Sequence, residues 1–181
     1  MSGPLTECNM IRKIFRLLYN SIRFVGKPCY RNLLAVATSA KIEKGRKAVL
    51  TIGKGFRARR NVEINARAGR LTIGDGVFFN SGCILTARES ITVGENTIFG
   101  PNVLVYDHDH KTENGRVLDN QYVCAPVTIG KNVWIGAGTI ILKGAEIQDN
   151  CVIAAGSVVT GTVSAGSVFV QKREKIIKPL A

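Results

Sequence analysis

From Ile129 onward a β-branched aliphatic residue returns at every sixth position: Ile129, Ile135, Ile141, Ile147, Ile153 and Val159. Four residues after each stands a small or β-branched one: Val133, Thr139, Ala145, Cys151, Ser157 and Val163. Gly130, Gly136, Gly138, Gly144, Gly156 and Gly161 fall between them, with Asn132 and Asn150. A period of six is neither helical nor the alternation of a simple strand. Each hexad supplies one short extended segment, its aliphatic residue turned inward, and one bend where Gly or Asn tolerates positive φ. Three such segments make one coil of about eighteen residues, and stacked coils bury a continuous column of Ile and Val.

The pattern extends upstream. Ile73-Gly74 and Val93-Gly94 are one coil apart, and Phe79, Leu85, Phe99 and Val105 keep the phase. Ile52-Gly53 and Ile64 mark an earlier, more degenerate coil, and Val123 and Val127 are expected to resume the pattern before Ile129. The predicted fold class is all-β, a parallel β-helix over residues 46–170. Between Tyr106 and Tyr122 the phase breaks in a polar stretch, YDHDHKTENGRVLDNQY. Such a segment cannot fill a coil's interior, so it is expected to be extruded as a loop over about 106–122, a natural carrier of function on a rigid scaffold.

The ends follow other rules. In residues 1–45, Ile11, Ile14, Phe15, Leu18, Ile22 and Val25 share one helical face, with Arg12, Lys13, Arg16 and Arg23 off it. Two roles fit: a helix that caps the open end of the coil stack, or an interfacial helix on an anionic lipid surface. Residues 171–181 form a basic tail outside the hexad phase.

The chain has 181 residues, 45% of them hydrophobic, which suits one domain with a core. Its net charge of +12 admits a nucleic acid, an anionic membrane or a polyanionic small ligand as partner. No nucleic-acid motif accompanies the charge, so no nucleic-acid partner is expected. Five cysteines without a C-x-x-C pair argue against a disulfide framework or structural zinc and for a reducing cytoplasm. No apolar run reaches transmembrane length, and the N-terminus lacks the pattern of a secretory signal.

The two histidines of the chain, His108 and His110, both lie in the extruded segment, between and after Asp107 and Asp109. Histidine suits general base catalysis near neutral pH, and either aspartate can orient an imidazole. If the segment is extended, the histidines point one way and the aspartates the other.

Gly100-Pro101-Asn102-Val103 through His110, followed by Pro126 to Gly136 (PVTIGKNVWIG), resembles the hexapeptide-repeat left-handed β-helix acyltransferases. Within them it is similar to the maltose and galactoside O-acetyltransferase branch and to capsular and exopolysaccharide O-acetyltransferases, over about residues 70–160. The resemblance supplies the left-handed sense. In that family a tryptophan follows the catalytic histidine by 24 residues; Trp134 stands 24 after His110, which selects His110 as the base. An asparagine 30 before the histidine contacts the acceptor, which implicates Asn80. His108, Asp107 and Asp109 are the remaining candidates for orienting the base or the acceptor. For acetyl-CoA the resemblance implies Trp134 against the pantetheine arm, the backbone of Gly136, Ala137, Gly156 and Ser157 at its amides, and Lys172 and Arg173 at its phosphates. A backbone N–H near Gly136 or Ala137 would stabilise the oxyanion. It also implies a homotrimer with coenzyme A at subunit interfaces, and no metal.

The chain departs from the small-sugar branch by reading Asp109-His110-Lys111 where Thr-His-Pro is usual, and residues 1–45 do not match that branch's N-terminal domain. The expected function is acetyl-CoA-dependent O-acetylation of a sugar in bacterial surface polysaccharide synthesis, in the cytoplasm or peripherally at the inner membrane surface. An antibiotic or amino-acid acyltransferase and a non-catalytic scaffold are the alternatives. A carbonic-anhydrase-like member needs three metal-binding histidines, and the chain has two.

Overall fold

The computed structural model describes residues 13–20 and 36–172. The chain winds around a three-sided prism, each side a six-stranded parallel sheet. In the order the chain visits them, the first face holds Lys41–Lys44, Glu63–Ala66, Ile84–Ala87, Leu104–Tyr106, Ile140–Ile141 and Val158–Val159. The second holds Val49–Ile52, Arg70–Ile73, Ser90–Val93, Val127–Ile129, Glu146–Ile147 and Thr162–Val163. The third holds Arg57–Ala58, Phe78–Phe79, Ile98–Phe99, Trp134–Ile135, Val152–Ile153 and Val168–Phe169. This is a β-solenoid consistent with the left-handed β-helix of hexapeptide repeats.

Every residue of the hexad series from Ile129 to Val159 is buried, and so is every member of the small series from Val133 to Val163. Coils stack in strict register: Phe79 on Phe99, Phe99 on Ile135, Ile135 on Ile153. Phe56, Phe79 and Phe99 fill the upper interior, with Phe79 and Phe99 stacked at 4.2 Å. The bends use two devices. Asn132, Asn150, Gly138, Gly144 and Gly156 take positive φ. Gly136 does not: a Cβ there would lie 2.5 Å from the Ala155 amide nitrogen, so the close approach of the next coil's backbone demands glycine.

The stack begins upstream of residue 46, with Val36 bridged to Ala58 and Lys41–Lys44 paired with Glu63–Ala66. Val123, expected to resume the inward pattern, is instead exposed on a strand outside the coils, and the phase returns at Val127. Residues 13–20 are helical, as the apolar spacing predicts. Their apolar side chains Ile14, Phe15 and Leu18 are exposed, and it is Asn20 that meets the stack, its Nδ2 donating to the Val36 carbonyl at 3.0 Å. Ile11, Ile22 and Val25, and the tail from 173 onward, lie outside the described residues.

The outward-facing residues differ from face to face. On the third face, Phe78, Ile98, Trp134, Val152 and Val168 form one aligned apolar column. On the first, Ile84, Leu104, Ile140 and Val158 form another. On the second, Thr51, Thr72, Thr92, Thr128, Glu146 and Thr162 make a polar ladder.

Candidate active site

The polar break in the repeat is an antiparallel β-hairpin, not an irregular loop. His108–Glu113 pairs with Arg116–Cys124, and the turn is Asn114-Gly115, both at positive φ (49° and 74°). Asn-Gly is the favoured pair for a two-residue turn of this handedness, so Asn114-Gly115 is a hairpin signal in the sequence itself. The hairpin leaves the prism at the corner between the first and second faces. Its return is sealed by the Ala125 N–H donating to the Asp107 carbonyl at 2.9 Å.

Asp107 roots it. Val103, Val105 and Asp107 occupy successive inward positions, so a carboxylate stands where the core would take an aliphatic residue, and it is 0% exposed. A buried carboxylate is tolerated only when its oxygens are bonded. Here the Arg88 N–H donates to Oδ1 at 2.9 Å and Oδ2 at 3.0 Å, and the Glu89 N–H donates to Oδ2 at 2.8 Å. His108 Nδ1 lies 2.8 Å from Oδ1. Asp107 thereby orients His108. Asp109 orients neither ring: it points outward and pairs with Lys143 at 3.4 Å, tying the hairpin to the next coil.

His110 lies two residues further out and is exposed. Its Nδ1 is 3.1 Å from the Leu118 carbonyl, an acceptor that requires a proton on Nδ1 and leaves Nε2 as the basic nitrogen. Both rings pack against Tyr122, His108 edge-on at 5.4 Å and His110 tilted at 4.9 Å. The histidines therefore share a side of the strand, as alternation predicts. Three participants lay outside the sequence reading: Tyr122, the Leu118 carbonyl, and Arg88, whose guanidinium carbon sits 3.4 Å above the Tyr122 ring. Cys124 pairs opposite His108; desolvation, then the Asp107 and Glu89 charges, raise its thiol above the usual value.

The other predicted residues gather elsewhere. Asn80, Gly136, Ala137, Gly156 and Ser157 lie along the corner between the third and first faces, beside Trp134, which is 57% exposed. That corner is joined coil to coil by Gly138 N–H to Pro101 O and Gly156 N–H to Ala137 O. The Gly136 N–H donates to Ile153 O at 2.8 Å, which takes it out of consideration for an oxyanion and leaves Ala137 as the candidate of the pair. Ser157 turns its hydroxyl inward to Ala154 O at 2.6 Å, so only its backbone faces the corner. Asn80 Oδ1 accepts from the Ser81 N–H at 2.8 Å, a local turn contact. Lys172 is exposed, and Arg173 lies outside the described residues. Among the described residues no cluster of His, Cys, Asp and Glu is arranged to hold a metal ion.

Residues 126–161 match the family described as bacterial transferase hexapeptide (six repeats). Galactoside O-acetyltransferase of Escherichia coli is 35% identical over 88 residues, covering 49% of this chain and 43% of that protein. WbbJ of Escherichia coli, named for lipopolysaccharide biosynthesis O-acetyl transfer, is 27% identical over 189 residues, covering 94% of this chain and 88% of that one. The chain spans about half the length of the first curated relatives it matches. Among solved structures, a mutant of AntD, an N-acyltransferase from Bacillus cereus in complex with dTDP and coenzyme A, shares the fold with a TM-score of 0.61 at 17% identity, over 79% of this chain and 78% of that one. The repeat and the coil stack define a hexapeptide-repeat β-solenoid, and these matches make the chain similar to acyltransferases that carry the same repeat. Within that class the resemblance runs to the galactoside O-acetyltransferases and to WbbJ, as the motifs around His110 and Trp134 lead one to expect.

Proposed function

We propose that the chain is an acetyl-CoA-dependent O-acetyltransferase acting on a sugar hydroxyl in bacterial surface polysaccharide synthesis, with His110 as general base. The observation that carries this is the hairpin, which holds an imidazole with a proton on Nδ1 and a basic, exposed Nε2 beside Tyr122. In the reaction Nε2 takes the proton of the acceptor hydroxyl as that oxygen attacks the thioester carbon. The tetrahedral oxyanion is stabilised by a backbone N–H, for which Ala137 is the candidate. The C–S bond then breaks, and the proton passes from His110 to the departing thiolate. Trp134, the corner backbone at Gly136, Ala137, Gly156 and Ser157, and the tail at Lys172 and Arg173 hold the coenzyme.

The working unit is a homotrimer. Within one chain the histidines and the Trp134 corner occupy different edges of the prism, so the site is completed by a second copy. The outward chemistry supports this. Apolar outward columns on the first and third faces, against a threonine ladder on the second, suit a cyclic, head-to-tail arrangement in which the third face of one copy meets the first face of the next and the threonine ladder stays in water. The enzyme works in the cytoplasm, with the exposed helix side chains Ile14, Phe15 and Leu18 and the basic charge at the inner membrane surface.

A specific observation favours a second assignment of the base. His108, not His110, is paired with the buried carboxylate of Asp107. Thiol release from acetyl-CoA in the presence of a panel of sugars separates the two. If His110 is the base, His110→Ala loses roughly 100- to 10,000-fold in rate, and His108→Ala keeps most of it; the reverse pattern assigns the base to the Asp107–His108 pair. Full rates in both variants contradict the proposed chemistry.

A further inference from the structure

Arg88 occupies the same corner as the hairpin, one coil earlier, and its position is defined by its neighbours. Its backbone N–H is spent on Asp107. Its guanidinium carbon sits 3.4 Å from the centre of the Tyr122 ring, and the same ring packs against His108 and His110. The Arg88 Nε is buried without a hydrogen-bond partner. No carboxylate forms an ion pair with Arg88 among the described residues. Asp107, the nearest buried acid, has its oxygens engaged by the two backbone amides and His108, Asp109 is paired with Lys143, and Glu89 faces solvent. A permanent cation with a donor left unsatisfied, fixed in orientation by an aromatic ring that also contacts both candidate bases, is the chemistry of an anion-recognition group.

We propose that Arg88 is the specificity-determining residue for the acceptor: it binds an anionic group, a carboxylate or a phosphate, on the sugar whose hydroxyl is presented to the histidine pair. The inference rests on the acetyltransferase reading and deepens it by naming the acceptor class. Packing on Tyr122 leaves the edge of the guanidinium fork open to a bidentate oxyanion, so a neutral sugar of the same shape strands both the cation and its buried Nε. The acceptor then docks by its negative charge at Arg88 and by its hydroxyl at the hairpin.

Acceptor-side binding to the coenzyme A-loaded protein tests this, measured by calorimetry with four probes: glucose, glucuronate, glucose 1-phosphate and UDP-glucose. The expected result is binding of one or more anionic probes roughly ten- to a hundredfold tighter than glucose. Glucuronate distinguishes a carboxylate on the ring from the phosphate of the other two. Arg88→Gln should remove that preference while coenzyme A affinity is kept, and Arg88→Lys should restore part of it. Where a probe is also turned over, Arg88→Gln should raise KM far more than it lowers kcat. Equal affinity for glucose and the anionic probes, no affinity for any anionic probe in a protein that binds coenzyme A, or an unchanged preference in a folded Arg88→Gln variant would each overturn the assignment. Failure to bind coenzyme A at all is a different result and defeats the acetyltransferase reading itself. Thermal melts of both variants identify any loss that arises from a loosened hairpin.

Discussion

Between Ile129 and Val159 every sixth side chain is buried and each stacks on its counterpart in the next coil, whereas in the hairpin that leaves the prism after Asp107 both histidines, Tyr122 and the turn lie at or near the surface. The coils gain stability from repetition, since each buries the apolar face of its neighbour. The hairpin has no such column beneath it. It is held by the four bonds at the Asp107 carboxylate, the Asp109–Lys143 pair and packing on Tyr122. The difference teaches where change is permitted: the stack must keep its shape to keep its stability, and the hairpin can alter its chemistry at little cost to the fold.

Substitutions can break that contrast. The largest stability effect belongs to the column: Ile135→Ala should cost roughly 2–5 kcal/mol in denaturant unfolding, because coils on both sides lose packing. Asp107→Asn should cost about 1.5–3 kcal/mol, since the charge is lost and one acceptor oxygen becomes an NH2 that cannot accept from the Arg88 N–H or from His108. Its effect should appear mainly as early hydrogen exchange of the hairpin amides, with the coil amides protected. Smaller in stability but visible in mass is a change of face. Ile98→Lys, on the apolar third face, should give monomers in light scattering, while Thr128→Lys on the threonine ladder should leave the assembly intact. The smallest is Gly115→Ala. Gly115 sits at φ 74°, but a Cβ there meets no atom within 4 Å, so the cost is backbone strain of about 1 kcal/mol, confined to the hairpin tip.

The same contrast explains what the amino-acid order disclosed. A repeat is local information multiplied: Ile129 to Val159 announce six buried positions, and Phe79, Leu85, Phe99 and Val105 extend them without any knowledge of tertiary contacts. The place of the break in the repeat was equally legible, because polar residues interrupted a strict phase. What the break contains was not. That Asp107 is a buried clamp depends on the Arg88 and Glu89 amides, nineteen and eighteen residues away. Arg88 looked like any arginine in a basic chain until its stacking on Tyr122 was seen. The terminal helix formed where the 3.6-residue period put it, yet the period says nothing about which side the prism would touch, and Asn20 made that contact.

The division of labour between stack and hairpin is tested most directly by titrating acetyl-CoA into the wild-type protein, Trp134→Ala and His110→Ala by calorimetry. Micromolar binding to the wild type, weakened about tenfold or more in Trp134→Ala and retained in His110→Ala, is the predicted result: the coil stack holds the donor and the hairpin acts on it. Absence of binding to a folded, assembled wild-type protein would contradict the acetyltransferase account, and loss of binding in His110→Ala alone would contradict the division.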